Sequence, residues 1–100
     1  MTDILDPTDC MTMAQVRAGV DDTDRRLIAL LTRRFGYMDA AARIKPERHQ
    51  VRDEARKAQV IANARAAAEA AGIPGAAIAD LWDSLVEASI AYEYEAFDVR

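Results

Sequence analysis

Residues 12–45 read TMAQVRAGVDDTDRRLIALLTRRFGYMDAAARIK, with no proline until Pro46. Thr12 and Gln15 stand three residues apart at the start, the spacing of a capping box in which hydroxyl and amide satisfy each other's free N–H groups. From there Val16, Val20, Thr23, Leu27, Leu30, Met38 and Ala41 recur at helical steps. The stretch predicts one helix of about 33 residues, roughly 50 Å long at 1.5 Å per residue. A compact chain of 100 residues has a radius of gyration of only about 13 Å. The remaining residues cannot cover both ends of such a helix, and a second copy of the chain is the simplest cover. The expected fold is therefore all-α, an intertwined helical homodimer.

The rest of the chain agrees with this class. Residues 46–50, Pro-Glu-Arg-His-Gln, are polar and read as a loop, in which His49 is a solvated side chain. A second helix is expected over about 51–71, with Val60, Ala64, Ala67 and Ala71 on one face. Gly72-Ile73-Pro74-Gly75 carries the strongest turn signals. A third helix is expected over about 75–98, with Trp82, Leu85, Val86, Ile90 and Phe97 as its apolar residues. Residues 1–11 form a lead-in to a single domain spanning 1–100.

Composition narrows the function. Hydrophobic residues make up 51% of the chain but aromatic ones only 6%, so alanine-rich helix faces bury little area each and a partner subunit would add to it. A net charge of −4 argues against nucleic acid or an anionic membrane as the main partner. Cys10 is the single cysteine, unable to pair within the chain and expected to pack as a small hydrophobe. The acidic start MTDILDPTDC does not read as a signal peptide, and no apolar run reaches the length of a membrane span. A cytoplasmic protein is the expectation. No residue pattern suggests a metal site, a cofactor, a nucleophile–histidine arrangement or a glycine-rich phosphate loop.

The informative residues are polar ones that interrupt apolar stripes. At 100° per residue Arg34 falls in the middle of the face made by Val16, Leu27, Leu30 and Met38, and Lys45 returns to that face three turns later. Cations on an apolar stripe cost free energy unless an anion meets them. Snorkelling to solvent and a structural salt bridge are the plain alternatives. In the third helix the series Trp82, Val86, Ser89, Glu93, Phe97 aims Ser89 and Glu93 at the core. Ser89 can be a small core residue, and Glu93 can pair with Arg34 or Lys45 for purely structural reasons. On the second helix Asp53 is expected at the middle of the apolar face with Arg56 at its edge, a spacing that also suits an ordinary surface pair. Together these residues outline a cationic pocket between helices that contains a carboxylic acid.

An ordered set of short motifs then stands out: Asp9-Cys10, Val16-Arg17, Val20-Asp21-x-x-Asp24, Leu30-Leu31-x-Arg33-Arg34 and Ala40-Ala41-x-x-Ile44-Lys45. Val51-Arg52-Asp53-x-x-Arg56 and Ser89-Ile90-x-x-Glu93 complete it. In these the chain resembles the all-helical chorismate mutases and the related isochorismate-pyruvate lyases over roughly residues 6–98. The resemblance implies an interlocked dimer of three-helix chains with two pockets, each taking chorismate or isochorismate. Arg34 would grip a substrate carboxylate from its own chain, and Arg17 would reach the pocket from the other subunit. Lys45 would donate to the ether oxygen of the breaking bond. Arg56 would assist at a carboxylate, Asp53 would meet the ring hydroxyl or orient Arg56, and Ser89 would line the site. Helix geometry agrees on Arg17: about 25 Å of helix separates it from Arg34, too far for both to clasp one small diacid in cis.

Two residues depart from the mutase pattern. Glu93 stands where many mutases carry a glutamine, the second donor to the ether oxygen. Lys57 stands where a glutamate often follows the second-helix arginine, which leaves recognition of the ring hydroxyl open. A carboxylate can only accept hydrogen bonds, whereas a protonated Glu93 can donate as glutamine does. Burial among Trp82, Val86 and Phe97 disfavours the charged form, and Lys45 and the arginines oppose that effect. The expectation is a mutase most active in acid. Asp53 and Ser89 favour the mutase branch, while the Asp9-Cys10 lead-in and the surroundings of Arg17 and Arg34 suit the lyase as well. A non-catalytic helical dimerisation or regulatory module is the reading from another class.

Overall fold

The computed structural model describes residues 3–100. Among them are three α-helices, α1 (Met13–Ile44), α2 (Glu54–Ala70) and α3 (Gly75–Asp98), two short 3-10 turns (Pro7–Asp9 and Arg48–Gln50), and no strand. The all-helical class read from the sequence is the observed one.

Local signals set the limits of α1 and α2. At the start of α1 the Gln15 N–H donates to Thr12 Oγ1 at 3.2 Å, and the Thr12 N–H donates to Gln15 Oε1 at 3.2 Å, the reciprocal capping box. The helix stops at Pro46, which has no N–H to continue it. The α2–α3 connection is a Schellman motif. The Ile73 N–H donates to Ala68 O at 3.0 Å and the Gly72 N–H to Glu69 O at 3.1 Å. Gly72 sits at φ 78°, a conformation that favours glycine.

The second helix departs from expectation. It starts at Glu54 rather than 51 because Asp53 is its N-cap, with φ −131° and its carboxylate accepting the Arg56 N–H at 2.9 Å. Asp53 therefore lies at the mouth of the helix, not at the middle of its apolar face, and both it and Arg56 are exposed. The loop before it is also more ordered than its composition suggests: Glu47 and Gln50 cap the 3-10 turn reciprocally, which drives Val51 into the core at 3% exposure. The packed face of α2 runs through Ile61, Ala64 and Ala68, while Ala67 and Ala71 point outward.

The described chain divides into two compact units, one running to Arg34 and the other from Phe35 to Arg100. In the first, residues 4–10 fold back on the opening turns of α1 and leave a cavity of about 410 Å³ between Ile4, Leu5, Cys10, Val16 and Val20. Cys10 is half-buried there. In the second, α2 and α3 pack on each other around Val51, Val86 and Ile90, with Val60, Ile61, Tyr94 and Phe97 against them. Burial of side chains of this size stabilises by about 1.5–3 kcal/mol each. Along α1, by contrast, only Ala42 is buried, and Leu27, Ile28 and Leu30 are 49–63% exposed.

An ion network ties the start of α2 to α3. Arg52 forks Glu87 at 2.9 and 3.0 Å and also reaches Glu54 at 2.9 Å. Lys57 holds Glu87 at 2.8 Å and Asp83 at 3.1 Å. These hydrogen bonds, Arg52 first, pull the Glu87 carboxyl down to about 2 from its usual 4.5. A lowered carboxylate adds stability above its unfolded value and loses it as the pH falls through its folded one. Glu87→Gln is thus expected to lower the urea midpoint at neutral pH. The gap to the unmodified protein should close as the pH drops from about 4.5 to about 2. A gap independent of pH would refute the ionic origin.

Candidate active site

Lys45 is the first residue beyond α1, and its N–H still completes a helical turn to Ala41 O at 2.9 Å. Its ammonium lies 3.1 Å from both carboxylate oxygens of Glu93 on α3 and donates to Oε2. The Glu93 side chain is 4% exposed and that of Lys45 32%. Oε1 is buried without an aligned hydrogen-bond donor. It shares the ammonium's charge at 3.1 Å but not its hydrogen bond, leaving one carboxylate oxygen with unused bonding capacity. The two polar residues that interrupted separate apolar stripes thus meet each other. Ser89, one turn before Glu93, is buried as well, and its hydroxyl donates to Leu85 O at 2.7 Å.

The remaining candidates are placed as follows. Lys45 and Asp53 line one solvent-open depression, rimmed by Ile44, Pro46, His49, Gln50, Arg52 and Glu54. Asp53 does hold Arg56, but through its backbone N–H; the Arg56 guanidinium donates to Gln59 Oε1 at 2.7 Å. Lys57 is engaged by the acids of α3. Arg17 is exposed and Arg34 half-buried, both on α1 within the first unit.

Side chains that the stripes did not reveal, Arg100 and Arg48 foremost, hold the segment after α1. Because Pro46 has no N–H, the buried carbonyl of Ala42 has no helical donor. Arg100 supplies one at 3.2 Å, and its guanidinium also donates to Lys45 O and, at 3.1 Å, to Pro46 O. It stacks over Phe97 at 3.7 Å. Next to it Arg48 grips Asp98 at 2.9 and 3.3 Å and lies over Tyr94. The sequence signal for this clamp is the proline four residues after Ala42. Elsewhere in this unit the Tyr92 phenol is raised above its usual value by a hydrogen bond to Asp39, and its ring meets Phe35 edge-on at 5.0 Å.

These features describe an all-helical protein in which a half-buried lysine at a helix end pairs with a buried glutamate on a helix face. Residues 16–94 match the family model described as chorismate mutase type II, and the chain belongs to that family. No curated protein matches it. No helix among the described residues is long and apolar enough to cross a membrane.

Proposed function

We propose that this protein is a chorismate mutase that rearranges chorismate to prephenate, working as a homodimer. The observation that carries the reading is the Lys45–Glu93 pair, a donor and an acid held at 3.1 Å where an apolar core would otherwise be, in a chain of this family. The reaction is unimolecular and needs no nucleophile, metal or cofactor. Its barrier falls when the enolpyruvyl arm is held over the ring and when donors meet the negative charge that develops on the ether oxygen.

The residues divide between those tasks. Arg34 clasps one carboxylate and Arg17 of the other subunit the second, each with the planar fork that suits a carboxylate. Lys45 donates to the ether oxygen, and Glu93 does so when protonated. Arg56 assists at a carboxylate, Asp53 meets the ring hydroxyl or orients Arg56, and Ser89 lines the site. The dimer is supported by α1, which is about 48 Å long at 1.5 Å per residue and leaves Leu27, Ile28, Leu30 and Tyr37 49–63% exposed. Apolar faces of that extent mark an interface.

Purified protein incubated with chorismate should yield prephenate, followed by loss of chorismate absorbance and by proton NMR of the product. Isochorismate should remain unchanged. Salicylate and pyruvate from isochorismate, with no prephenate from chorismate, would replace the mutase reading by the lyase one. No turnover of either would leave a non-catalytic helical module.

A further inference from the structure

We propose that Arg100 is a positioning residue for Lys45, a latch through which the end of α3 sets where the Lys45 ammonium sits. Resting on the reading of Lys45 as the ether-oxygen donor, the proposal comes from how one residue is held at both ends. The Lys45 ammonium is bound by Glu93, and its carbonyl by Arg100. Phe97, which supports the Arg100 guanidinium, follows Glu93 by one turn on α3, so both grips come from the same helix. Arg100 also takes the Ala42 and Pro46 carbonyls that flank the end of α1. Pro46 removes the backbone donor that would have fixed Ala42 O, and a cation beside helix C-terminal carbonyls is favoured by the helix dipole. Without Arg100, the residues around Lys45 lose a charged, multiply bonded support, while Glu93 alone fixes only the tip of a flexible side chain.

The consequence is kinetic. The ether oxygen gains charge only in the transition state, so a displaced Lys45 lowers kcat and leaves KM nearly unchanged. Arg100→Ala should lower kcat about tenfold or more with KM within about twofold, since misplacing a catalytic group is costly even without removing it. Arg100→Lys, which keeps charge and donors, should recover part of the loss. The decisive comparison is a double-mutant cycle: with Lys45→Ala already present, Arg100→Ala should cost less than about twofold in kcat. If Arg100→Ala does not fold by circular dichroism, Arg100→Gln carries the same cycle, because it keeps a polar side chain while removing the charge and the terminal nitrogens that bind the carbonyls.

Equal losses in both backgrounds, a rise in KM at unchanged kcat, or unmodified kinetics in Arg100→Ala would each overturn the latch. The failures separate. If Lys45→Ala is impaired and Arg100→Ala is not, the latch is wrong and the role of Lys45 stands. If Lys45→Ala turns over normally, the reading of Lys45 falls and the latch with it.

Discussion

Lys45→Ala is expected to slow chorismate turnover by about 10²–10³-fold, the loss seen when one preorganised donor to a developing oxyanion is removed. The expectation follows from what the ammonium faces. It is the cation paired with a carboxylate that is 4% exposed, so its field acts in a medium that screens it far less than water does. The same burial complicates the measurement. Removing Lys45 leaves the Glu93 charge without its partner, a cost of about 3–5 kcal/mol in a fully buried pair and less here because Lys45 is 32% exposed, and part of any activity loss could then be unfolding. The double variant Lys45→Ala/Glu93→Gln separates the two effects. It removes the orphaned charge and should recover the thermal midpoint, yet turnover should remain low because the cation is still missing. Turnover within about threefold of the unmodified protein in folded Lys45→Ala would exclude the ether-oxygen role, that factor being well under the effect of a charged donor.

The second large effect concerns the two arginines of α1. Arg17→Ala and Arg34→Ala homodimers should each lose roughly 2–5 kcal/mol of transition-state binding, the usual cost of truncating one partner of a buried charged pair. That corresponds to about thirtyfold to several thousandfold in kcat/KM. Unfolded together and refolded, the two variants form heterodimers as about half of the population. If Arg17 acts in trans, each heterodimer has one site with both arginines and one with neither. The mixture should then regain about a quarter of the unmodified activity. With both arginines acting in cis, every site lacks one of them and nothing returns. Heterodimers detected by native mass spectrometry without recovered activity would reject the shared site, and a monomeric chain would reject it more simply.

How much of this was legible in the sequence depended on whether a residue broke a pattern. The helices α1 and α3 have strong apolar stripes, and their limits were readable from Thr12, Pro46 and Gly75. Lys45 and Glu93 were visible because each violates a stripe, although neither helix alone names the other as partner. The start of α2 was not readable. Arg52-Asp53-Glu54-Ala55-Arg56-Lys57 has no stripe to violate, and the capping role of Asp53 is set by its backbone conformation. The same lack of pattern hid the true face of α2, where Ala67 and Ala68 are chemically identical but only Ala68 is buried. Arg100 was hidden for a different reason: a cation at the end of a helix interrupts nothing, and its partners are carbonyls more than fifty residues away in sequence. Lys57, a departure from the mutase pattern, answers to Asp83 and Glu87 across the helix pair.

The measurement that tests the account most directly is the pH dependence of chorismate turnover in the unmodified protein and in Glu93→Gln, over the range where both remain folded. An ionised Glu93 occupies the Lys45 ammonium and cannot donate, while its charge opposes that building on the ether oxygen. A protonated Glu93 donates and releases Lys45 to do the same. Turnover of the unmodified protein should therefore be higher in acid than near neutrality. Glu93→Gln, neutral and always able to donate, should show a flat profile with activity near neutrality equal to or above that of the unmodified protein. An unmodified profile that stays flat from acid to neutral, or the same decline in Glu93→Gln, would contradict the placement of Glu93 as a donor at the breaking bond.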